Sequence, residues 1–107
     1  MTDCIAVLVT VGSRQEAERI AEALVTERLA ACVNMIGPIT SIYHWEGRVE
    51  RGQELLLIIK TRAAFFDQLE AHVKSLHSYQ NPEVIAVPIS AGAAAYLDWL
   101  RSETRTP

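Results

Sequence analysis

The sequence predicts a mixed α+β fold in a single domain, residues 1–107, and three observations support that prediction. Strand-like and helix-like segments follow one another in the order βαββαβα. Two long extended runs meet at a two-residue turn, which is typical of a β-hairpin. The chain has 107 residues, 50% of them hydrophobic, which is enough for one small core. Right-handed βαβ crossovers fold this order into a four-stranded sheet with two helices on one face, the ferredoxin-like plait, here with an extra C-terminal helix.

The first strand and the first helix have clear local signals. Residues 4–11 are a near-continuous apolar run, as expected for a strand that is covered on both faces. Ser13 and Glu16 have the spacing of a capping box, in which both side chains accept hydrogen bonds from backbone N–H groups at a helix start. The apolar positions that follow fall on one helical face: Ala17, Ile20, Ala21, Leu24 and Val25. We therefore expect an amphipathic helix lying on a sheet.

Residues 32–61 predict a long hairpin around which the rest of the chain is organised. Its outgoing strand places Tyr43 and Trp45 on one face, because side chains alternate along a strand. Glu46–Gly47 supplies the turn, since glycine adopts a positive φ with little strain. Gly37–Pro38 predicts a bend, because proline cannot donate a hydrogen bond to the ladder. The outgoing strand would be about 45 Å long, whereas a domain of this size is about 34 Å across, so we expect the hairpin to protrude.

A second helix is predicted after the hairpin. We expect Thr61 to cap it, because a threonine hydroxyl can accept a bond from an N–H group of the first turn. Five apolar residues recur at helical spacing: Phe65, Phe66, Leu69, Val73 and Leu76. Residues 78–82 then end the helix with a proline and other turn-forming residues.

The C-terminal part predicts one more strand and one more helix. Residues 84–89 read as a strand whose Pro88 favours a sheet edge or a strand end. Residues 92–102 read as a helix. Its expected packing residues are Tyr96, Leu97, Trp99 and Leu100. We expect the tail, residues 103–107, to fray.

Both faces of the predicted sheet are apolar. The first strand places Ile5, Val7 and Val9 on one face, and Ala6 and Leu8 on the other. The return strand of the hairpin repeats this pattern through a run of leucines and isoleucines. A single short C-terminal helix cannot cover the second face of four strands, so we expect other copies of the chain to cover it in a homo-oligomer.

Composition excludes several classes of partner. The formal net charge is -3 and like charges do not cluster, which argues against nucleic acid and anionic lipid as partners. Apolar segments are shorter than the roughly 20 residues that cross a bilayer as a helix, so no membrane association is expected. Cys4 and Cys32 lack a close pairing motif, and the N-terminus lacks a signal-peptide pattern. We therefore expect a cytoplasmic protein with reduced thiols.

Four blocks of sequence carry a resemblance to a known family: residues 27–34, 41–47, Lys60–Thr61 and 77–83. In this order and at this spacing they closely resemble the CutA family of divalent-cation tolerance proteins. The similarity extends from the first strand through residues 96–100. It implies a ferredoxin-like fold, an interlocked homotrimer similar to the PII signalling proteins, and a link to copper and other divalent cations. It implies no established catalytic activity.

The resemblance also implies a metal site at which this chain departs from some relatives. Those relatives are taken to bind copper through a cysteine near the end of the first strand and a pair of histidines before a Pro-Glu motif. Here Thr10 stands at about the first position and Leu76 replaces the first histidine, which leaves His77. His77 is therefore the candidate ligand for Cu2+ or another divalent cation, since imidazole suits copper and zinc. The structural alternative is that His77 holds a turn.

We predict that Trp45, Lys60, Tyr79 and Glu83 line a ligand-binding cleft between subunits, with a Lys60 ammonium within about 10 Å of a His77 ring. Such pockets need a few converging polar groups on an apolar wall. Lys60 would supply fixed positive charge, so the expected ligand is a small anion or a bound metal. Simpler alternatives are that the Lys60 ammonium lies at the rim of the sheet or meets a carboxylate such as Glu54 or Glu83, and that Trp45 only packs.

Three functional hypotheses follow. The resemblance favours a homotrimeric, non-catalytic protein that responds to metal ions or binds a small ligand. The first alternative is a small enzyme with an intersubunit active site, in which His77 acts as an acid or base beside Lys60. The second alternative is a structural or interaction hub. We expect no catalysis.

Overall fold

The computed structural model describes residues 2–105, which form three helices and a single four-stranded sheet. The elements in chain order are β1 (Cys4–Val11), α1 (Arg14–Thr26), β2 (Cys32–Trp45), β3 (Arg48–Arg62), a 3-10 turn (Ala63–Phe65), α2 (Phe66–Leu76), β4 (Val84–Pro88) and α3 (Ala94–Glu103). The strand order is β2-β3-β1-β4 and all neighbouring strands are antiparallel. This arrangement confirms the predicted plait with an extra C-terminal helix.

The helices α1 and α2 close one face of the sheet. Alternate residues of β1 and β3 point into this core, because side chains alternate along a strand. The largest completely buried side chains of the core are Val7, Val9, Val11, Ile20, Leu24, Leu57, Ile59, Leu69 and Val73. The predicted apolar face of α1 is buried except for Val25, which is exposed. At the start of α1, Ser13 Oγ accepts a hydrogen bond from the Glu16 N–H at 3.2 Å, as expected for an N-cap.

The hairpin of β2 and β3 turns at Glu46 and Gly47, whose φ angles of 51° and 77° are both positive, as a type I′ hairpin turn requires. The pairing register shifts between Ile36 and Ile39, where Gly37–Pro38 lies, so the predicted irregularity is confirmed. The chain measures 44 × 26 × 22 Å, and the outer hairpin carries exposed apolar side chains. The hairpin therefore projects beyond the core.

The second face of the sheet stays open within one chain. Leu8, Ile58 and Ile85 lie side by side on three neighbouring strands, and Ile85 is 51% exposed. Ile36 and Val87 on the same face are exposed as well. The helix α3 covers only one end of this face, where Leu97 and Leu100 contact Cys4 and Ala31. An apolar surface of this kind on a small domain is a candidate contact surface for another molecule.

The predicted cap of α2 is wrong. Strand β3 continues through Thr61, and α2 begins after a 3-10 turn with no side-chain cap at Phe65. Thr61 follows Leu57 and Ile59 in the strand alternation, so its side chain points into the core. There its hydroxyl donates to the Leu29 carbonyl at 2.7 Å. The hydroxyl satisfies a buried carbonyl instead of a helix start.

The C-terminal predictions need two further corrections. Tyr96 and Trp99 pack against each other, with ring centroids 5.5 Å apart, but both remain exposed. The expected fraying is wrong for the first part of the tail. Glu103 ends α3, and Thr104 is 1% exposed and accepts a hydrogen bond from Arg62 Nε at 2.9 Å on its hydroxyl. Residues 106 and 107 lie outside the described residues.

The prediction for Pro88 is confirmed, because β4 is an edge strand and Pro88 is its last residue. Among residues 2–105, no helix is long and apolar enough to cross a membrane.

Candidate functional site: a cleft at the base of the hairpin

An open cleft of about 550 Å³ begins where the hairpin leaves the sheet, at Thr10 and Glu54, and extends along the hairpin to Trp45 beside its turn. We call it the hairpin cleft. Its lining residues are Thr10, Ser41, Ile42, Tyr43, Trp45, Glu54, Tyr79, Gln80, Asn81 and Glu83. The hairpin cleft brings together Trp45, Tyr79 and Glu83, three of the residues predicted to share a site. Tyr43 and Trp45 lie on one face of β2 because they are two residues apart in a strand.

Tyr79 is held in place by a carboxylate and by a close backbone approach. Its hydroxyl donates to Glu54 Oε2 at 2.8 Å. A Cβ atom at Gly12 would lie only 3.0 Å from the Tyr79 hydroxyl oxygen, so a glycine at this position leaves room for the tyrosine. Burial raises the pKa of Tyr79, and the bond to Glu54 raises it further. Tyr79 therefore stays a hydrogen-bond donor at neutral pH.

His77 lies behind the cleft with its side chain completely buried. Its Nε2 donates to the Thr10 carbonyl at 2.8 Å, and its Nδ1 accepts from the Tyr79 N–H at 3.1 Å. Because a carbonyl can only accept and an amide N–H can only donate, these two bonds place a ring proton on Nε2 and the accepting lone pair on Nδ1. Glu16 Oε2 lies 3.4 Å from the same Nδ1. The His77 and Tyr79 ring centroids are 4.6 Å apart. His77 thus positions Tyr79 at the cleft, in agreement with the structural alternative that it holds a turn.

The loop that carries Tyr79 is anchored on the first turns of α1. Glu16 Oε2 accepts from the Ser78 N–H at 3.0 Å and from the Ser78 hydroxyl at 3.1 Å. Burial raises the pKa of Glu16, but the Ser78 bonds together with the nearby His77 and Arg19 outweigh it and hold this pKa below its usual value. Arg19 donates to the Leu76 carbonyl at 3.1 Å. Glu16 therefore orders the cleft loop, a role that its capping-box spacing did not reveal.

Lys60 lies away from the hairpin cleft. It stands opposite Ala6 and Cys32 in the sheet register, and its ammonium donates to Asn34 Oδ1. Lys60 lies six positions after Glu54 in β3, which is about 20 Å along a strand. Within the described residues of one chain, Lys60 therefore bonds to Asn34 and not to Glu54 or Glu83, the carboxylates named in one of the alternatives. Within one chain Lys60 does not join the cleft, so the predicted acid–base pair with the histidine is not assembled there.

The charge of the cleft is negative. Glu54 and Glu83 are its ionisable carboxylates, and within the described chain the lining includes no lysine, arginine or histidine. The fixed positive charge expected from Lys60 is therefore not supplied by the same chain. Tyr43, Ser41 and the two amides of the 80–81 segment complete a wall of aromatic and polar groups that sequence reasoning did not assign.

The donor set does not fit the copper site that the family resemblance implies. The Nε2 of His77 carries a proton toward Thr10, and the Nδ1 lone pair accepts the Tyr79 N–H. A metal ligand needs a free lone pair on the imidazole. Thr10 contributes its backbone carbonyl oxygen, which already accepts the hydrogen bond from His77 Nε2. Residues 2–105 also contain no group of three or more His, Cys, Asp or Glu side chains placed to hold a metal ion.

The fold and this cleft define the chain as a small α+β plait protein with a projecting hairpin. The family model of the CutA1 divalent ion tolerance protein matches residues 5–103. The chain belongs to the CutA family of divalent-cation tolerance proteins, which confirms the resemblance found in its sequence.

Several relatives show how far the similarity reaches. The divalent-cation tolerance protein CutA of Thermus thermophilus is 54% identical over 98 residues, which cover 92% of this chain and 95% of the relative. The chloroplastic protein CutA 1 of Oryza sativa is 50% identical over 101 residues, which cover 94% of this chain and 57% of the relative. The chain thus spans almost all of the bacterial relative and little more than half of the plant relative.

Solved structures agree with the fold. The divalent cation tolerance protein of Thermus thermophilus superposes with a TM-score of 0.93 at 52% identity, covering 95% of this chain and 99% of that chain. The periplasmic divalent cation tolerance protein CutA of Archaeoglobus fulgidus gives a TM-score of 0.91 at 41% identity, covering 94% and 97%. The predicted fold is therefore shared with these proteins.

Proposed function

We propose that this chain acts in divalent-cation tolerance as a non-catalytic homotrimer that binds a small ligand in the hairpin cleft. The observation that carries the proposal is the convergence of Trp45, Tyr79 and Glu83 on one cleft of about 550 Å³. This volume lies within the roughly 300–1,000 Å³ of typical small-molecule sites. His77 and Glu16 anchor the loop that carries Tyr79, so this loop is ordered before a ligand binds. Binding then costs less conformational entropy.

The open face of the sheet and the projecting hairpin support the homotrimer. Exposed apolar side chains at Ile36, Ile85 and Val87 would be removed from water by neighbouring copies. Lys60 and Asn34 lie on this same face, so Lys60 would approach a hairpin cleft only from another copy. That part of the predicted site stays a prediction.

Divalent cations, Cu2+ included, enter this proposal as ions to which the protein responds. His77 does not offer a free lone pair in the described conformation, so it is a positioning residue for Tyr79 in this proposal. We place the protein in the cytoplasm with Cys4 and Cys32 as free thiols. Named relatives include a chloroplastic and a periplasmic form, so location varies within the family.

Sedimentation and a thermal-shift panel test the proposal together. At low micromolar concentration we expect one species of about 36 kDa, three times the 11.9 kDa chain. A stable monomer would contradict the trimer. In the panel, a ligand at one hundred times its dissociation constant stabilises by about 2.7 kcal/mol.

The panel includes CuCl2, and the matched variant is His77→Ala. We expect any CuCl2 response to be unchanged in this variant, because the ring nitrogens are already bonded. A response that disappears would restore His77 as a ligand. No shift with any metal, cation or anion would favour the interaction hub.

A further inference from the structure

We propose that the hairpin cleft selects an organic cation, a small molecule that carries an ammonium or guanidinium group. This inference rests on the proposed function, since it names the class of ligand for the same cleft. It departs from the anionic ligand that the sequence suggested through Lys60.

Three aromatic side chains supply the first argument. Tyr43, Trp45 and Tyr79 line the cleft, and each remains partly accessible, with 44% of Trp45 exposed. Aromatic rings carry negative potential over their faces and attract cations, with tryptophan the strongest. Rings of this kind also bury the apolar body of a ligand. The wall therefore favours a ligand that combines positive charge with hydrocarbon.

The two carboxylates supply the second argument. One oxygen of Glu54 accepts a hydrogen bond from the Tyr79 hydroxyl. Because this donor is neutral, the carboxylate keeps its negative charge. Glu83 adds a second negative group to the lining. Within the described residues of one chain the lining contains no lysine or arginine, so only a residue of another copy could offset these charges. Like charges repel, and an anion is disfavoured in this cleft.

The same lining disfavours a bare divalent metal. Mg²⁺ and Ca²⁺ need about six or more oxygen ligands, and softer metals need several nitrogen or sulfur donors. The described residues form no cluster of three such side chains. An ammonium or guanidinium group needs only one or two acceptors together with an aromatic surface. The geometry of the cleft fits that requirement.

The test measures the fluorescence of Trp45, which lines the cleft. The sequence has two tryptophans, so Trp99→Phe leaves Trp45 as the single tryptophan, whose emission can be excited selectively over that of the three tyrosines. Trp99 lies on α3 and contacts Tyr96, outside the cleft lining. Choline and agmatine are titrated as organic cations, with 3,3-dimethylbutanol as the neutral isostere of choline. Sodium phosphate, sodium glutamate and MgCl2 are the anion and metal arms.

We expect saturable changes in Trp45 emission with choline or agmatine, and at least tenfold weaker binding of the isostere. Glu83→Gln and Glu54→Gln should each weaken cation binding about threefold to tenfold. The glutamine at position 54 retains an oxygen that can accept the Tyr79 hydroxyl bond. Glu18→Gln on the exposed side of α1 removes the same charge outside the cleft, and it should leave binding unchanged.

The opposite results separate this inference from the proposed function. Equal binding of choline and its isostere would overturn cation selection, and so would saturable binding of phosphate, glutamate or MgCl2 without choline or agmatine. In these cases a ligand-binding cleft would still stand. Absence of a saturable change with every probe would overturn both the inference and the ligand-binding role of the cleft.

Discussion

Leu57 and Ile58 are neighbours in β3 with similar chemistry, yet they have different surroundings. Leu57 is completely buried in the cluster under α1 and α2, whereas Ile58 faces the open side of the sheet and is partly exposed. The strand period of two alone assigns one residue to the interior of the chain and the other to its surface. The comparison shows that the helix-covered face stabilises the single chain, while the open face is available for contacts between copies.

The largest effect is expected on the helix-covered face. Leu57→Ala should lower the free energy of unfolding by about 2–5 kcal/mol, because it removes buried contacts and leaves a cavity. Urea unfolding followed by circular dichroism measures this loss. A loss below about 1 kcal/mol would mean that this face does not form the rigid core.

On the open face we expect a substitution to disrupt assembly and to leave the fold of the single chain intact. Ile58→Asp should shift the sedimenting species from about 36 kDa to the mass of one chain, because burying an unpaired carboxylate between copies costs several kcal/mol. The variant should keep its strand and helix content in circular dichroism. Val25→Asp is the control, since Val25 is an exposed apolar residue on α1. An Ile58→Asp variant of unchanged mass would show that the open face is not an interface.

Much of the fold was predictable because its signals are local. The alternation in β3, the Glu46–Gly47 turn and the irregularity at Gly37–Pro38 each depend on neighbouring residues, and each is confirmed. Thr61 and Thr104 were misassigned because their partners lie far away in sequence. The Thr61 hydroxyl bonds to the Leu29 carbonyl, and Thr104 is held by the Arg62 guanidinium.

The site was only partly predictable for the same reason. Trp45, Tyr79 and Glu83 were assigned to one cleft, and the structure brings them together. Within one chain Lys60 lies outside this cleft, and its place in a cleft between subunits stays a prediction. A sequence block alone does not reveal which end of the sheet a strand residue occupies. The hydrogen bond between Tyr79 and Glu54 joins residues 25 positions apart, and no rule of sequence spacing predicts it.

A smaller effect on the free energy of unfolding is expected at the base of the hairpin, where Gly12 lies against Tyr79. Gly12→Ala should lower the free energy of unfolding by about 1 kcal/mol, because the new Cβ would press on the Tyr79 hydroxyl at 3.0 Å. In a Tyr79→Phe background the nearest ring carbon is at 3.5 Å, an ordinary contact, so the same substitution should cost less. A double-mutant cycle in urea measures this coupling. Equal costs in both backgrounds would show that Tyr79 does not lie over Gly12.

The smallest effect concerns the loop that α1 holds against the cleft. Burial raises the pKa of Glu16, but the Ser78 bonds, together with the nearby His77 and Arg19, keep it below its ordinary value of 4.5. A lowered folded pKa means that the charged carboxylate stabilises the protein above about pH 4.5, and that this stabilisation is lost as pH falls through the folded value. Glu16→Gln should therefore cost about 1 kcal/mol or less at neutral pH. The difference from wild type should shrink on acidification, whereas Glu18→Gln should show no such trend. A Glu16→Gln difference that stays constant down to about pH 3.5 would contradict the charge-assisted anchoring of the cleft loop.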